Sequence, residues 1–213
     1  MEDAKGYLKN TAPAAEGLFK LLKQYGWHRM RAFVDTTNAK TRSKLEKAKS
    51  DYSSVDIARD VIAGSILQIA YFAIKRYAPH LEKTESVLEF ERKINEIVAA
   101  KPSARCKHFS LPQTFCVGRS LGHLPIGLII YAARNQYNHF EERRLSVVNE
   151  VVFNYLKQLW PEPVKNGISF NLYNNKHFYS YAVLCALGWV DSQAGSGYKA
   201  YLHDMKNMLE VAF

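Results

Sequence analysis

Apolar residues recur along most of this chain at intervals of three and four, the spacing that places them on one face of an amphipathic helix. The strongest such stretch covers residues 55–78, where Ile62, Ile66 and Ile69 repeat at that spacing and Pro79 follows as a stop. The same pattern predicts further helices at residues 14–25, 84–100, 125–142, 144–160, 177–189 and 198–211. Period-two alternation is nowhere long enough to require a sheet, so the sequence predicts a single all-α domain.

Turn-forming residues predict the boundaries between these helices. Gly26 is expected to end the first one, and Asp51, Ser53 and Ser54 offer N-cap side chains for the second. Residues 101–124 contain two prolines and two glycines, and they predict a long irregular connection of the kind that often carries function.

One stretch departs from the amphipathic pattern. Residues 27–49 begin with apolar side chains and become almost wholly polar and basic. Two interpretations stay open for this stretch: the solvated face of a helix, or a basic surface that faces RNA.

The composition narrows the class of partner. The net charge of +9 over 213 residues, with a pI near 9.4, favours a polyanion, and nucleic acid before a membrane surface. Three cysteines in a chain of this length argue against a disulfide framework and indicate a reducing compartment. The N-terminus has no apolar core of a signal peptide, and the apolar runs are too short for a membrane span. The sequence therefore predicts a soluble, cytoplasmic protein.

Residues 125–142 combine an apolar helix face with an unusual polar one. On a helical wheel the apolar residues fall on one side; they are Ile126, Ile129, Ile130, Ala133, Tyr137 and Phe140. The opposite side carries an imidazole, a phenol, amides and a carboxylate, from Tyr131, Asn135, Asn138, His139 and Glu142, with Arg134 at its edge. Solvated helix faces are usually rich in Lys and Glu, so this composition predicts a functional site.

These groups suit phosphodiester chemistry on RNA. The imidazole of His139 can take a proton from a 2′-hydroxyl or give one to the leaving oxygen. Arg134 offers forked donors to a phosphate and to the charge that builds in the transition state, and the Asn135 amide can orient the His139 ring. Asn138, Tyr131 and Glu142 are expected to support the site, and the scheme needs no metal or other cofactor.

The run Arg134-Asn-Gln-Tyr-Asn-His139 resembles the R-N-x3-H motif of the HEPN superfamily. The resemblance covers roughly residues 55–160 and implies a HEPN-like helical bundle, with helical extensions at residues 1–54 and 161–213. It also implies a metal-independent endoribonuclease whose site forms between two copies and whose product ends in a 2′,3′-cyclic phosphate. Such proteins act in toxin–antitoxin and antiviral defence systems, so an antitoxin or sensor protein is a further expected partner.

Other candidate residues surround this motif. In HEPN domains a polar residue of the preceding helix often joins the site, which makes Asp56, Asp60 and Gln68 candidates; of these, Asp60 is predicted to support catalysis. Five cations are candidates for binding substrate phosphates, with ordinary solvation as the alternative: Arg105, Lys107, Arg119, Arg143 and Arg144. A zinc site would need Cys106, His108, Cys116 and His123, whose spacing matches no familiar pattern.

Two hypotheses for the function follow from the sequence. The favoured one is a homodimeric, metal-independent endoribonuclease that uses Arg134 and His139. The alternative is a non-catalytic helical module that binds RNA or assembles a complex, for which salt-dependent binding without a cleavage product is expected.

Overall fold

The computed structural model of the chain describes residues 3–100, 110–139, 146–159, 179–190 and 196–212. These residues contain seven α-helices, one turn of 3-10 helix and one pair of two-residue strands. The helices are α1 (Ala4–Asn38), α2 (Arg42–Tyr77), α3 (Glu85–Ala99), α4 (Ile126–Asn138), α5 (Val147–Leu159), α6 (Ser180–Ala186) and α7 (Ser196–Met208). The predicted all-α class is confirmed.

The first two helices form a long antiparallel pair. Along α1 the buried or half-buried positions repeat as 8, 15, 22 and 29, with 11, 18, 25 and 32 between them. This seven-residue repeat keeps one seam of α1 against α2, as in a coiled coil. Tyr7 Oη donates to Ile69 O at one end of the pair, and Arg29 binds Asp56 further along it.

The pairing overrides the predicted boundaries at this end of the chain. Gly26 does not end the first helix, and Pro13 also lies inside α1. The second helix begins at Arg42, capped by the Thr41 side chain, which accepts from Lys44 N at 3.3 Å, and not at Asp51, Ser53 or Ser54. Glycine costs a helix only about 1 kcal/mol relative to alanine, which packing along a continuous and mostly apolar seam can offset.

Helix α2 is the central element of the bundle. It packs against α1, α4 and α6, while α5 covers α4, α3 packs on α5, and α7 packs on α1. Its residues Ile66, Leu67 and Ile74 have no exposed surface and join one hydrophobic core to which each of the seven helices contributes. The predicted end of this helix before Pro79 is confirmed, since Tyr77 is its last residue.

Helix α2 also contains the one window of the described residues that is long and apolar enough to cross a membrane. Half of that window is buried inside the protein, and a core helix of a soluble protein meets the same criteria of length and composition. The fold is therefore compatible with a soluble protein.

The irregular connection that was predicted before the fourth helix is described from Ser110 onward. It contains the 3-10 turn Gln113–Phe115 and two short antiparallel strands, β1 (Ser120–Leu121) and β2 (Leu124–Pro125). Gly127 N donates to Val117 O at 3.2 Å, and a Cβ at Gly127 would lie 2.5 Å from Phe115 O. The absence of a side chain at Gly127 thus lets this connection press against the first turn of α4 and fix its direction.

Candidate active site

The candidate site lies in the second half of α4, where that helix faces α2. The first half of α4 is buried nearly all round, through Ile126, Leu128, Ile129 and Ile130. Beyond Ala133 the surface opens, because Arg134 and Asn135 are half-buried and Asn138 and His139 are exposed. The predicted polar face therefore exists, but only over the last two turns of the helix.

Four neighbouring groups hold the guanidinium of Arg134. Its Nε donates to Gln68 Oε1 at 3.2 Å, and Nη1 donates to Asn135 Oδ1 at 3.3 Å. With the Asn138 amide oxygen turned toward the guanidinium, Arg134 Nη2 donates to it at 2.9 Å. The Tyr71 ring lies beneath, 4.4 Å from Arg134 Cζ to the ring centroid.

The groups around Arg134 are neutral. The guanidinium contacts three amide oxygens and an aromatic face, and no carboxylate among the described residues forms an ion pair with it. An arginine that is oriented in this way retains its full positive charge for an incoming anion. The described contacts therefore fix the direction of the guanidinium without neutralising its charge, an arrangement that is chemically suited to an oxyanion.

His139 terminates the helix that carries Arg134. Asn138 is the last helical residue, and the backbone of His139 leaves the helix at φ −118° and ψ 26° while its N–H still donates to Asn135 O at 3.1 Å. The prediction that this helix runs to residue 142 is therefore wrong. In a regular helix the five residues from Arg134 to His139 would place the two side chains about 140° apart, but this angle does not hold here because His139 lies outside the regular helix.

Sequence reasoning missed a buried amide that fixes this part of α4. Asn149 of α5 is 3% exposed. With its amide oriented to suit its neighbours, it donates to Ala132 O and accepts from Gln136 N, both at 3.2 Å. It thus clamps the turn that contains Arg134. An asparagine within the apolar run 147–153 was the available signal, since buried amides in helices are rarely without a partner.

Tyr131 supports the site indirectly. It was predicted to lie on the polar face, but it is half-buried, with its ring centroid 5.0 Å from Phe115 and 6.3 Å from Tyr71. Phe115 also stacks on Tyr71 at 4.9 Å. These three rings hold Tyr71 beneath the Arg134 guanidinium, so Tyr131 acts through packing.

Asp60 lies in a different cluster from the one predicted. Its carboxylate accepts from the backbone N–H of Tyr181, at the start of α6, at 3.0 Å. On α2 itself, Asp60 follows Arg59 directly and lies one turn after Asp56. Of the three candidates on α2, Gln68 is the one that contacts Arg134. Helical spacing explains this, because Gln68 lies opposite Arg134 in the antiparallel α2–α4 contact, and Gly64 lies opposite Tyr137.

Burial raises the pKa of Asp60 to about 6, although the Tyr181 N–H opposes that shift. The folded protein therefore holds this proton more tightly than the unfolded chain, whose carboxyl titrates near 3.8. This stabilisation is present below about pH 4 and is lost as the pH rises through 6; the full shift corresponds to about 3 kcal/mol, at about 1.4 kcal/mol per pKa unit.

We expect Asp60→Asn to remove this pH dependence. Measured by urea unfolding between pH 4 and pH 7, the wild type should lose about 2 kcal/mol relative to the variant. Asp51→Asn, which changes an exposed carboxylate of the same helix, is the matched control. Parallel stability curves for the wild type and Asp60→Asn would contradict the assignment.

Of the five cations that were predicted to bind phosphate, the structure describes one. Arg105, Lys107, Arg143, Arg144 and the supporting Glu142 lie outside the described residues. Arg119 is described, and its guanidinium binds Asp204 through two hydrogen bonds of 2.9 Å and donates to Leu187 O at 2.6 Å.

These contacts give Arg119 a structural role. Its carbonyl accepts from Ile126 N at the start of α4, whereas the Arg134 site lies at the end of that helix, about 12 Å away at 1.5 Å per residue. The placement gives no support to Arg119 as a substrate-binding residue of this site.

Metal ligands do not cluster in the described residues, where no group of three or more His, Cys, Asp and Glu side chains could hold an ion. Of the weighed zinc ligands, Cys106 and His108 lie outside the described ranges, and His123 is exposed. Burial raises the pKa of the Cys116 thiol to about 11, and its Sγ donates to Pro112 O. Cys116 is therefore part of the packing around the 3-10 turn.

Comparison of the chain with protein-family models, with curated proteins and with solved structures finds no match.

Proposed function

We propose that this protein is a metal-independent endoribonuclease of the HEPN type. The observation that carries the proposal is the Arg134 guanidinium, which neutral groups orient and leave fully charged, five residues before an exposed histidine. A phosphate bound there would lie beside a group that can transfer protons at neutral pH. The R-N-x3-H sequence supports the same chemistry.

The reaction needs only these groups and the RNA itself. The 2′-oxygen attacks the adjacent phosphorus, the bond to the 5′-oxygen of the next nucleotide breaks, and the products are a 2′,3′-cyclic phosphate and a 5′-hydroxyl. His139 accepts the proton of the 2′-hydroxyl or donates one to the leaving oxygen. Arg134 stabilises the charge on the phosphoryl oxygens in the transition state.

A pair of chains would supply both proton transfers. The reaction uses a base and an acid, and the chain offers one histidine at the motif. If His139 of two copies met across a two-fold axis, one could accept a proton and the other could donate one, with both arginines facing the phosphate. The exposure of Asn138 and His139 supports this arrangement, because it leaves them accessible to a second copy.

The setting of the enzyme is proposed from the same resemblance. A ribonuclease of this type would act in the cytoplasm as a toxin or an antiviral effector, and an antitoxin or sensor protein would restrain it until needed.

Cleavage of RNA in EDTA is the direct test. We expect the purified protein to cut total RNA without divalent metal and to leave 2′,3′-cyclic phosphate ends. His139→Ala should lower the rate at least 100-fold, since general acid–base catalysis by one side chain contributes about 10²- to 10⁴-fold. Mapped 3′ ends and initial rates are the measurements.

His80→Ala is the matched control, because His80 is exposed and lies in the turn after α2. It should cut RNA like the wild type. Cleavage that persists unchanged in His139→Ala would overturn the mechanism. RNA binding without any product from the wild type would instead favour the non-catalytic module.

A further inference from the structure

The distal part of the α1–α2 pair lies outside the main hydrophobic core of the described residues. Leu22 and Ala63 are members of the main hydrophobic core, whereas Ala32 and Ala48, also buried, are not. We call residues 23–57 the arm. Its α1 segment, from Lys23 to Asn38, extends about 24 Å at 1.5 Å per residue. The arm therefore presents a large surface that the core does not require.

A groove on the arm combines aromatic, cationic and hydroxyl groups. It has a volume of about 400 Å³, and its lining consists of Phe33, Thr36, Leu45, Lys49 and Tyr52. The Phe33 and Tyr52 rings contact each other at 6.4 Å between centroids, yet Phe33 remains 55% exposed. A groove of this size accommodates a nucleotide-sized ligand.

The apolar surface continues from the groove along α1. Met30 and Trp27 precede Phe33 at three-residue intervals and are 60% and 65% exposed. Exposed apolar side chains that adjoin each other in this way mark binding surfaces rather than solvated ones. An exposed tryptophan and phenylalanine also provide faces on which bases can stack.

The arm is strongly basic. It contains eight Lys and Arg and four Asp and Glu, a net charge of +4. Within the described part of the chain Arg29 and Lys49 form ion pairs, and the other six cations form none: Lys23, Arg31, Lys40, Arg42, Lys44 and Lys47. This surface would repel a second copy of itself and attract a polyanion.

The position of some of these cations is unfavourable for the helix itself. Arg42 and Lys44 lie in the first turn of α2, which contains no acidic residue, and the N-terminus of a helix repels positive charge. Arg42, Leu45, Lys49 and Tyr52 also share one face by their spacing, the face of the groove. Helix stability therefore does not explain these cations, whereas binding of an anion does.

We propose that the arm binds single-stranded RNA, with bases on Phe33 and along Trp27, and phosphates on Lys40, Arg42 and Lys49. This inference rests on the proposed function, because it assigns to the arm the task of holding the RNA that the Arg134 site cuts. Stacking faces beside a basic track are the features by which proteins bind single strands without strong sequence preference.

Binding is tested in the His139→Ala background, with a fluorescein-labelled 20-nucleotide oligouridine and fluorescence anisotropy. Substituting Lys40, Arg42 and Lys49 together by Gln should raise Kd at least 10-fold in 50 mM salt. The slope of log K against log salt should also become less negative by about 2, because each of the three lost phosphate contacts contributes about 0.7 to that slope. The matched control replaces Lys5, Lys9 and Lys199, exposed lysines outside the arm.

Stacking is tested separately. Phe33→Ala should raise Kd about 5- to 50-fold with an unchanged salt slope, and Phe33→Trp should restore binding. Phe72→Ala is the control, since Phe72 is 48% exposed on α2 outside the arm. Circular dichroism spectra and thermal melting of each variant identify any that fail to fold.

Four outcomes separate this inference from the proposed function. Weakened binding in both arm variants, with raised KM and unchanged kcat in the active enzyme, supports both. If the arm variants bind RNA more weakly but the wild type shows no His139-dependent cleavage, RNA binding by the arm is supported and the proposed ribonuclease activity is contradicted. If His139-dependent cleavage occurs and the arm variants have a normal KM, only RNA binding by the arm is contradicted. Binding to phosphatidylserine vesicles but not to the oligonucleotide overturns RNA as its ligand.

Discussion

Replacing Arg134 with lysine is expected to lower kcat/KM for RNA cleavage at least 100-fold while the protein remains folded. Lysine keeps the charge, but its single ammonium cannot contact Gln68, Asn135 and Asn138 together in the plane that those amides define. Loss of one oriented donor to a developing oxyanion costs about 10²- to 10³-fold. Arg134→Gln, which removes the charge as well, should be slower again.

The structural cost of this change should be small. Arg134 is half-buried and its partners are neutral, so its loss is expected to cost about 1 kcal/mol, or about 2 to 4 °C in melting temperature. Methylguanidinium added to Arg134→Ala should restore part of the cleavage rate, which a purely structural role would not allow. Arg92→Lys is the control, since Arg92 forms an exposed pair with Glu85. A rate within threefold of the wild type for Arg134→Lys would remove Arg134 from the mechanism.

The neighbours of Arg134 act through its position. Gln68→Ala and Asn138→Ala should each lower kcat less than Arg134→Lys does, because in each of them the guanidinium keeps its remaining contacts. The substrate affinity should change little, since neither side chain is required to touch the RNA. In the proposed mechanism Gln68 would therefore be a positioning residue, which contacts Arg134 from the neighbouring helix.

The helical class was predictable because apolar spacing of three and four continues through each buried segment. The lengths of α1 and α2 were not, since Gly26 and Pro13 are local signals and the seam between two helices is a tertiary one. A sequence shows that Gly26 weakens a helix, but not that residues on both sides of it pack against the same partner. Packing between α1 and α2 therefore determined the lengths of the two helices.

The site was predictable only where it lies within one helix. Arg134, Asn135 and Asn138 are neighbours by helical spacing, so their contact follows from the sequence. The choice of Gln68 over Asp60 depends on the register between α2 and α4, and the clamp by Asn149 depends on how α5 lies across α4. Such registers arise from side-chain packing between elements, which single-sequence patterns do not encode.

Arg119 illustrates the opposite difficulty, because a basic residue in a loop was expected to bind substrate and instead binds the protein. Asp204 is 4% exposed and accepts from Arg119 Nε, Arg119 Nη2 and Trp189 Nε1. This buried carboxylate joins the loop before α4 to α7. Its partner 85 residues away could not be identified from the sequence.

The second large effect is expected from this pair. Arg119→Ala should destabilise the fold by about 3 to 4 kcal/mol, because it leaves a buried carboxylate with Trp189 as its remaining described donor. Asp204→Asn should cost only about 2 kcal/mol, because Arg119 is 45% exposed and water can solvate it. Urea unfolding at pH 7.5 measures both values, and Arg92→Ala, at an exposed pair, should change stability by less than about 0.5 kcal/mol.

A double variant distinguishes a buried charge without its partner from a simple loss of packing. If the cost of Arg119→Ala comes from the Asp204 carboxylate that it leaves without a counter-charge, removing that charge as well should recover part of the lost stability. Arg119→Ala/Asp204→Asn should therefore be more stable than Arg119→Ala alone, and a double variant that is no more stable would contradict the charge argument. Below its melting transition Arg119→Ala should cleave RNA with the KM of the wild type. If fully folded Arg119→Ala had a raised KM, Arg119 would be a substrate-binding residue after all. A purely structural ion pair at the far end of α4 is not expected to change the affinity for substrate.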